Sequence, residues 1–104
     1  MSKDILKLKP ESLWKNFYEL TQIPRPSRKE AQVIAYLKKF GEDLGLETIE
    51  DEVGNIIIKK PATEGMEDRK GIILQGHMDM VPQKNSDTVH DFEKDPIDAY
   101  IDGD

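Results

Sequence analysis

The sequence predicts an α/β fold, a mixed β-sheet flanked by helices and incomplete at one side. Three observations predict it. Two stretches carry apolar residues at helical spacing, two β-branched runs flank a Gly-Asn turn, and the unbroken apolar run Gly71-Ile72-Ile73-Leu74-Gln75 leads into Gly76-His77-Met78-Asp79.

The first helix is predicted over residues 10–20, where Leu13, Phe17 and Leu20 recur at i, i+4 and i+7 with Trp14 on the flank. Pro24 and Pro26 stop it, because proline lacks the amide that a helix interior needs. The second helix opens on Ser27 and Glu30, an S-x-x-E capping box. Its apolar stripe of Val33, Ile34, Leu37, Phe40 and Leu44 runs to Gly45 as the C-cap. The aromatic residues along these stripes read as core. Residues 46–50 and 56–59 form strands around the turn Val53-Gly54-Asn55. Residues 61–70, rich in Gly, Glu and Asp, form the nearest thing to a linker. Residues 71–75 suit a strand buried on both faces, since strands of that kind lose the polar alternation of a half-exposed one. Residues 81–96 are polar and turn-rich, with Phe92 seeking a core, and residues 97–101 resume a short strand before the turn signal Asp102-Gly103.

The 104 residues are enough for one domain, spanning 1–104. With 15 basic and 21 acidic residues the formal charge is -6, which repels phosphate backbones and anionic membranes, so neither nucleic acid nor a membrane is an expected partner. Without cysteine there is no disulfide and no thiolate site; any metal must sit on imidazole and carboxylate. The N-terminus, broken by charge every few residues, lacks the apolar centre of a signal peptide, and no segment reaches a membrane-spanning length. A soluble, cytoplasmic protein is expected. No Gly-rich phosphate loop and no Ser/His/Asp or Cys/His nucleophile set is present.

The chemistry gathers at His77 and Asp79. In an extended chain residues i and i+2 face the same side, so a strand ending in His-x-Asp presents an imidazole with a carboxylate close enough to fix its tautomer. The same two residues also suit the polar end of an ordinary turn, and the motif alone does not choose. His90, in Thr88-Val89-His90-Asp91-Phe92, reads as a hydrogen-bonded loop histidine. The acidic residues Asp87, Asp91, Glu93, Asp95, Asp98, Asp102 and Asp104 read as solvated surface, as do Glu47, Glu50, Asp51 and Glu52.

The run from residue 70 to 104, KGIILQGHMDMVPQKNSDTVHDFEKDPIDAYIDGD, resembles the Xaa-His dipeptidases (aminoacyl-histidine dipeptidases, carnosinase-like) of the two-zinc aminopeptidase and carboxypeptidase superfamily. Pro24-Arg25-Pro26-Ser27 looks like that family's segment between its first two helices. Val53-Gly54-Asn55-Ile56-Ile57-Ile58 and Lys60-Pro61-Ala62-Thr63 look like its first hairpin. GHxDxVP is shared across the superfamily, whereas MDMVPQKN followed by DTVHDF and KDPI points to the histidine-dipeptide branch.

The resemblance implies the N-terminal part of a zinc-exopeptidase catalytic domain. In such an enzyme a metal-bridged hydroxide attacks the peptide carbonyl of dipeptides ending in histidine, the two zinc ions lying roughly 3.5 to 4 Å apart. It implies that His77 is a ligand to one zinc. Asp79 is then the catalytic residue that holds the other ring nitrogen's proton and orients the ring without ligating the metal. It also implies ligands that the chain lacks: an aspartate in a Gly-Ala-Asp-Asn-Gly motif, a glutamate pair, a further acidic residue and a distant histidine. The 104 residues are therefore expected to be inactive alone and to bind zinc weakly. A non-catalytic module that pairs with itself or a partner through an open strand edge is the competing expectation, and a homodimer fits either.

Overall fold

The computed structural model describes residues 3–103. The element order is a short 3-10 helix at Asp4–Lys7, α1 at Glu11–Thr21, α2 at Ala31–Asp43, β1 at Glu47–Glu50 and β2 at Ile56–Lys59. Asp104 of the acidic run lies outside the described residues. The α/β class read from the sequence holds, with two helices and a two-stranded antiparallel sheet. The chain divides into two compact units, residues 1–33 with 79–104, and residues 34–78.

In the first unit the 3-10 helix packs on α1, and Ile5 and Val33 are buried. Trp14 donates its indole N–H to the carbonyl of Lys9 at 3.2 Å and meets the edge of Phe17 at 5.8 Å between ring centres. The C-terminal end of α1 is closed from two sides. Arg25 donates to the carbonyls of Leu20 at 2.6 Å and Ile23 at 3.3 Å, satisfying acceptors that a helix end leaves open. The amide of Ile97 donates to Thr21 at 2.8 Å, and Gln22 Nε2 donates to the carbonyl of Ile97 at 3.3 Å.

In the second unit α2 ends as its sequence predicts. Gly45 takes φ +71, the Leu46 amide donates to Gly41 at 3.0 Å and the Gly45 amide to Glu42 at 2.9 Å. That pair of bonds is a Schellman cap, and the left-handed residue it requires is why glycine stands there. The hairpin pairs Glu47 with Lys59, Thr48 with Ile58, Ile49 with Ile57 and Glu50 with Ile56. Its turn is tied by Asp51, whose carboxylate accepts from Asn55 Nδ2 at 2.8 Å and from the amides of Asn55 at 2.8 Å and Val53 at 3.0 Å. Gly41 is buried where α2 meets the hairpin: a Cβ there would stand 2.2 Å from Thr48 Oγ1 and 3.1 Å from Ile58 Cγ1.

Two strands expected from the sequence do not form. Residues 71–75 form no strand, with Ile72, Ile73 and Leu74 82%, 92% and 90% exposed. Residues 97–101 have no ladder either. An apolar run supplies the side chains of a central strand, whereas its hydrogen bonds come from neighbouring strands, and the described residues offer none to these runs.

Candidate functional site

The loop between the helices and the chain after the His-x-Asp motif meet in the first unit, and they are joined at three points. The Met80 amide donates to the carbonyl of Arg25 at 2.8 Å, the Ser27 amide donates to the carbonyl of Met80 at 3.2 Å, and Ser27 Oγ donates to Asp79 Oδ2 at 2.6 Å. The two backbone bonds make a parallel bridge between Pro26 and Met80, with Pro26 buried at its centre. The loop leaves this bridge through a tight turn, in which the Lys29 amide donates to Pro26 at 2.9 Å and Arg28 takes φ 74. Beyond it Lys29 pairs with Glu93, whose carboxylate, hydrogen-bonded to the ammonium, raises the Lys29 pKa.

Of the two residues singled out by sequence, Asp79 is half-buried and held by this loop, and His77 is exposed. Ser27 is the residue that the sequence reading misplaced. It does not cap α2: its hydroxyl is committed to Asp79, α2 begins at Ala31, and Glu30 accepts from the amide of Arg28 at 2.6 Å. A capping serine accepts from the amides of the first helical turn, and Ser27, at the bridge to Met80, lies four residues before the start of α2 at Ala31.

His90 occupies a loop as expected; its ring stands edge-on to Phe92 at 4.8 Å, and Nε2 is buried without a hydrogen-bond partner among the described residues. Its carbonyl accepts from Lys84 Nζ at 3.0 Å.

The donor set for a metal is partial. Structural and catalytic zinc sites take three or four protein ligands, and the described residues bring no three His, Asp or Glu side chains together for one ion. A complete centre does not fit within these residues. What the site shows is a carboxylate that accepts from a serine hydroxyl beside two backbone bonds that join the same two segments.

Comparison with known proteins finds the chain similar to proteins named as dipeptidases. It is 52% identical over 100 residues to the cytosol non-specific dipeptidase of Escherichia coli, an alignment covering 96% of this chain and 21% of that protein. Its backbone matches the crystal structure of aminoacylhistidine dipeptidase from Vibrio alginolyticus with a TM-score of 0.90 at 49% identity, covering 95% of this chain and 20% of that one. A Pyrococcus furiosus protein named for LysW-lysine and LysW-ornithine hydrolysis is 40% identical over 63 residues, 61% of this chain and 18% of its own. No family model matches the chain. The resemblance read from the sequence therefore stands, and the chain spans about a fifth of the length of the relatives it matches. Among the described residues, no helix is long and apolar enough to cross a membrane.

Proposed function

We propose that this chain is the N-terminal segment of a zinc-dependent dipeptidase catalytic domain, acting on dipeptides that end in histidine. The observation that carries the proposal is the match, over nearly the whole chain and in both sequence and backbone, to proteins named as dipeptidases. The relatives' names differ in breadth, one non-specific and one aminoacylhistidine. The histidine preference rests on the run from Met78 to Ile97 that resembles the narrower branch.

In this reading His77 is a zinc ligand, and Asp79 accepts a hydrogen bond from the N–H of its other ring nitrogen, which fixes the tautomer and makes the ring a better ligand. The zinc supplies Lewis acidity toward the peptide carbonyl and the attacking water. The remaining ligands and the general base come from outside these 104 residues, so the chain alone does not turn over substrate. The name of the Escherichia coli relative supports a cytoplasmic location. The exposed apolar run at residues 72–74 favours a second reading, that the chain alone pairs with a copy of itself through this segment.

The test is a chimera in which this chain replaces the matching stretch of the Escherichia coli relative. Hydrolysis of an Xaa-His dipeptide that needs zinc and disappears in the His77→Ala variant is the expected result. A folded chimera with no turnover, or one indifferent to His77→Ala, overturns the proposal.

A further inference from the structure

We propose that Ser27 is a positioning residue for Asp79, fixing the carboxylate in the orientation from which it serves the His77 ring. The inference rests on the role given to Asp79 above and adds a residue from a separate part of the chain, 52 positions earlier.

A carboxylate on a short side chain rotates about its last bond with little resistance, so an aspartate that must meet one ring nitrogen needs its plane held. Ser27 holds it. The 2.6 Å contact between Oγ and Oδ2 is in the range of charge-assisted O–H···O bonds, which are about twice as strong as neutral ones. A carboxylate oxygen accepts, so the proton in this bond is the hydroxyl's.

The hydroxyl is itself fixed. The Ser27 amide is bonded to Met80, the residue after Asp79, and the Met80 amide to Arg25, so the two segments are locked in register at the point of contact. Arg25, on the other side, is anchored through its guanidinium to the end of α1. Arg28 at φ 74 adds a costly conformation directly after Ser27. Non-glycine residues rarely adopt it, and the surrounding bonds must offset its cost. A serine whose only task was to start α2 would leave none of these features explained.

Removing a group that hydrogen-bonds a metal ligand lowers metal affinity or activity by about 10–100-fold. Ser27 stands one step further out, which puts its effect near the lower end, about tenfold. The experiment uses the chimera described above with zinc bound. Three readouts are taken on Ser27→Ala, Ser27→Thr, Asp79→Asn and the Ser27→Ala/Asp79→Asn double variant: zinc affinity by chelator competition, kcat/KM on an Xaa-His dipeptide, and melting temperature of the zinc-free protein.

Ser27→Ala is expected to lose about tenfold in zinc affinity and kcat/KM, Ser27→Thr to recover most of both, and the double variant to be no worse than Asp79→Asn. A Ser27→Ala variant within twofold of the parent in both readouts, while Asp79→Asn is impaired, overturns the assignment of Ser27 alone. Equal losses in Ser27→Ala and Ser27→Thr, tracking a lowered zinc-free melting temperature, also overturn it and leave Ser27 as a tie in the loop. If Asp79→Asn is silent, the role of Asp79 falls and the assignment of Ser27 falls with it.

Discussion

Replacing Gly41 by alanine sets two opposed effects against each other. In the interior of α2 the substitution gains about 1 kcal/mol of helix propensity, since glycine pays more backbone entropy than alanine. Against it stands the hairpin. The new methyl would lie 2.2 Å from Thr48 Oγ1, well inside contact distance, and 3.1 and 3.2 Å from Ile58 Cγ1 and Cδ1. Thr48 cannot turn away freely, because its hydroxyl donates to the carbonyl of Leu46 at 3.0 Å and moving it gives up about 1 kcal/mol. Overpacking of this kind costs about 1–3 kcal/mol more. The net is a destabilisation of about 1–3 kcal/mol, confined to the packing of α2 on β1 and β2. Native-state amide exchange reads it locally: protection across residues 47–50 and 56–59 should fall by roughly tenfold or more. Gly41→Ala combined with Thr48→Ala should recover part of the loss through the removed overlap. Unchanged or increased protection in Gly41→Ala would refute the argument, because helix propensity would then have outweighed the contact.

The Asp51 carboxylate is held below its ordinary value of 3.8, first by the Asn55 side chain and then by the Asn55 amide. Its support of the turn is therefore present above pH 3.8 and lost as pH falls through the lower folded value; the Val53 and Asn55 amide signals should shift together in that acid window and not in Asp51→Asn. A common midpoint above 3.8 would contradict this. With Ile72, Ile73 and Leu74 exposed, the chain alone should self-associate at high micromolar concentration by light scattering, and Ile73→Lys should shift it toward monomer; a monomeric parent chain would count against it. Calorimetry on the chain alone should give weak zinc binding that His77→Ala removes, and tight stoichiometric binding at neutral pH would mean that other side chains complete a site.

What the sequence made legible is what short stretches decide for themselves. The stripe of Val33, Leu37 and Phe40, the glycine at 45 and the β-branched residues around Gly54 encode α2, its cap and the hairpin through contacts within a few positions. Residues 71–75 have the composition of a buried strand, but pairing is a property of neighbours, and nothing within the run records whether they are there. Ser27 failed for a related reason. S-x-x-E fits a helix start locally, and a partner 52 residues away leaves no mark on that spacing. The signal that could have found it was the pair of prolines around Arg25: proline disfavours helix in the residue before it, so Arg25 is biased toward the extended backbone that can bridge to another segment. His90 was placed in its loop correctly, yet the orphaned Nε2 follows from packing around the ring, which the loop sequence does not specify.

The most direct test of the account is turnover by the chimera that carries these 104 residues in place of the matching stretch of the Escherichia coli dipeptidase. The account predicts zinc-dependent hydrolysis of an Xaa-His dipeptide, abolished by His77→Ala and strongly reduced by Asp79→Asn. A well-folded chimera that binds zinc and hydrolyses the dipeptide equally well with and without His77 would contradict it.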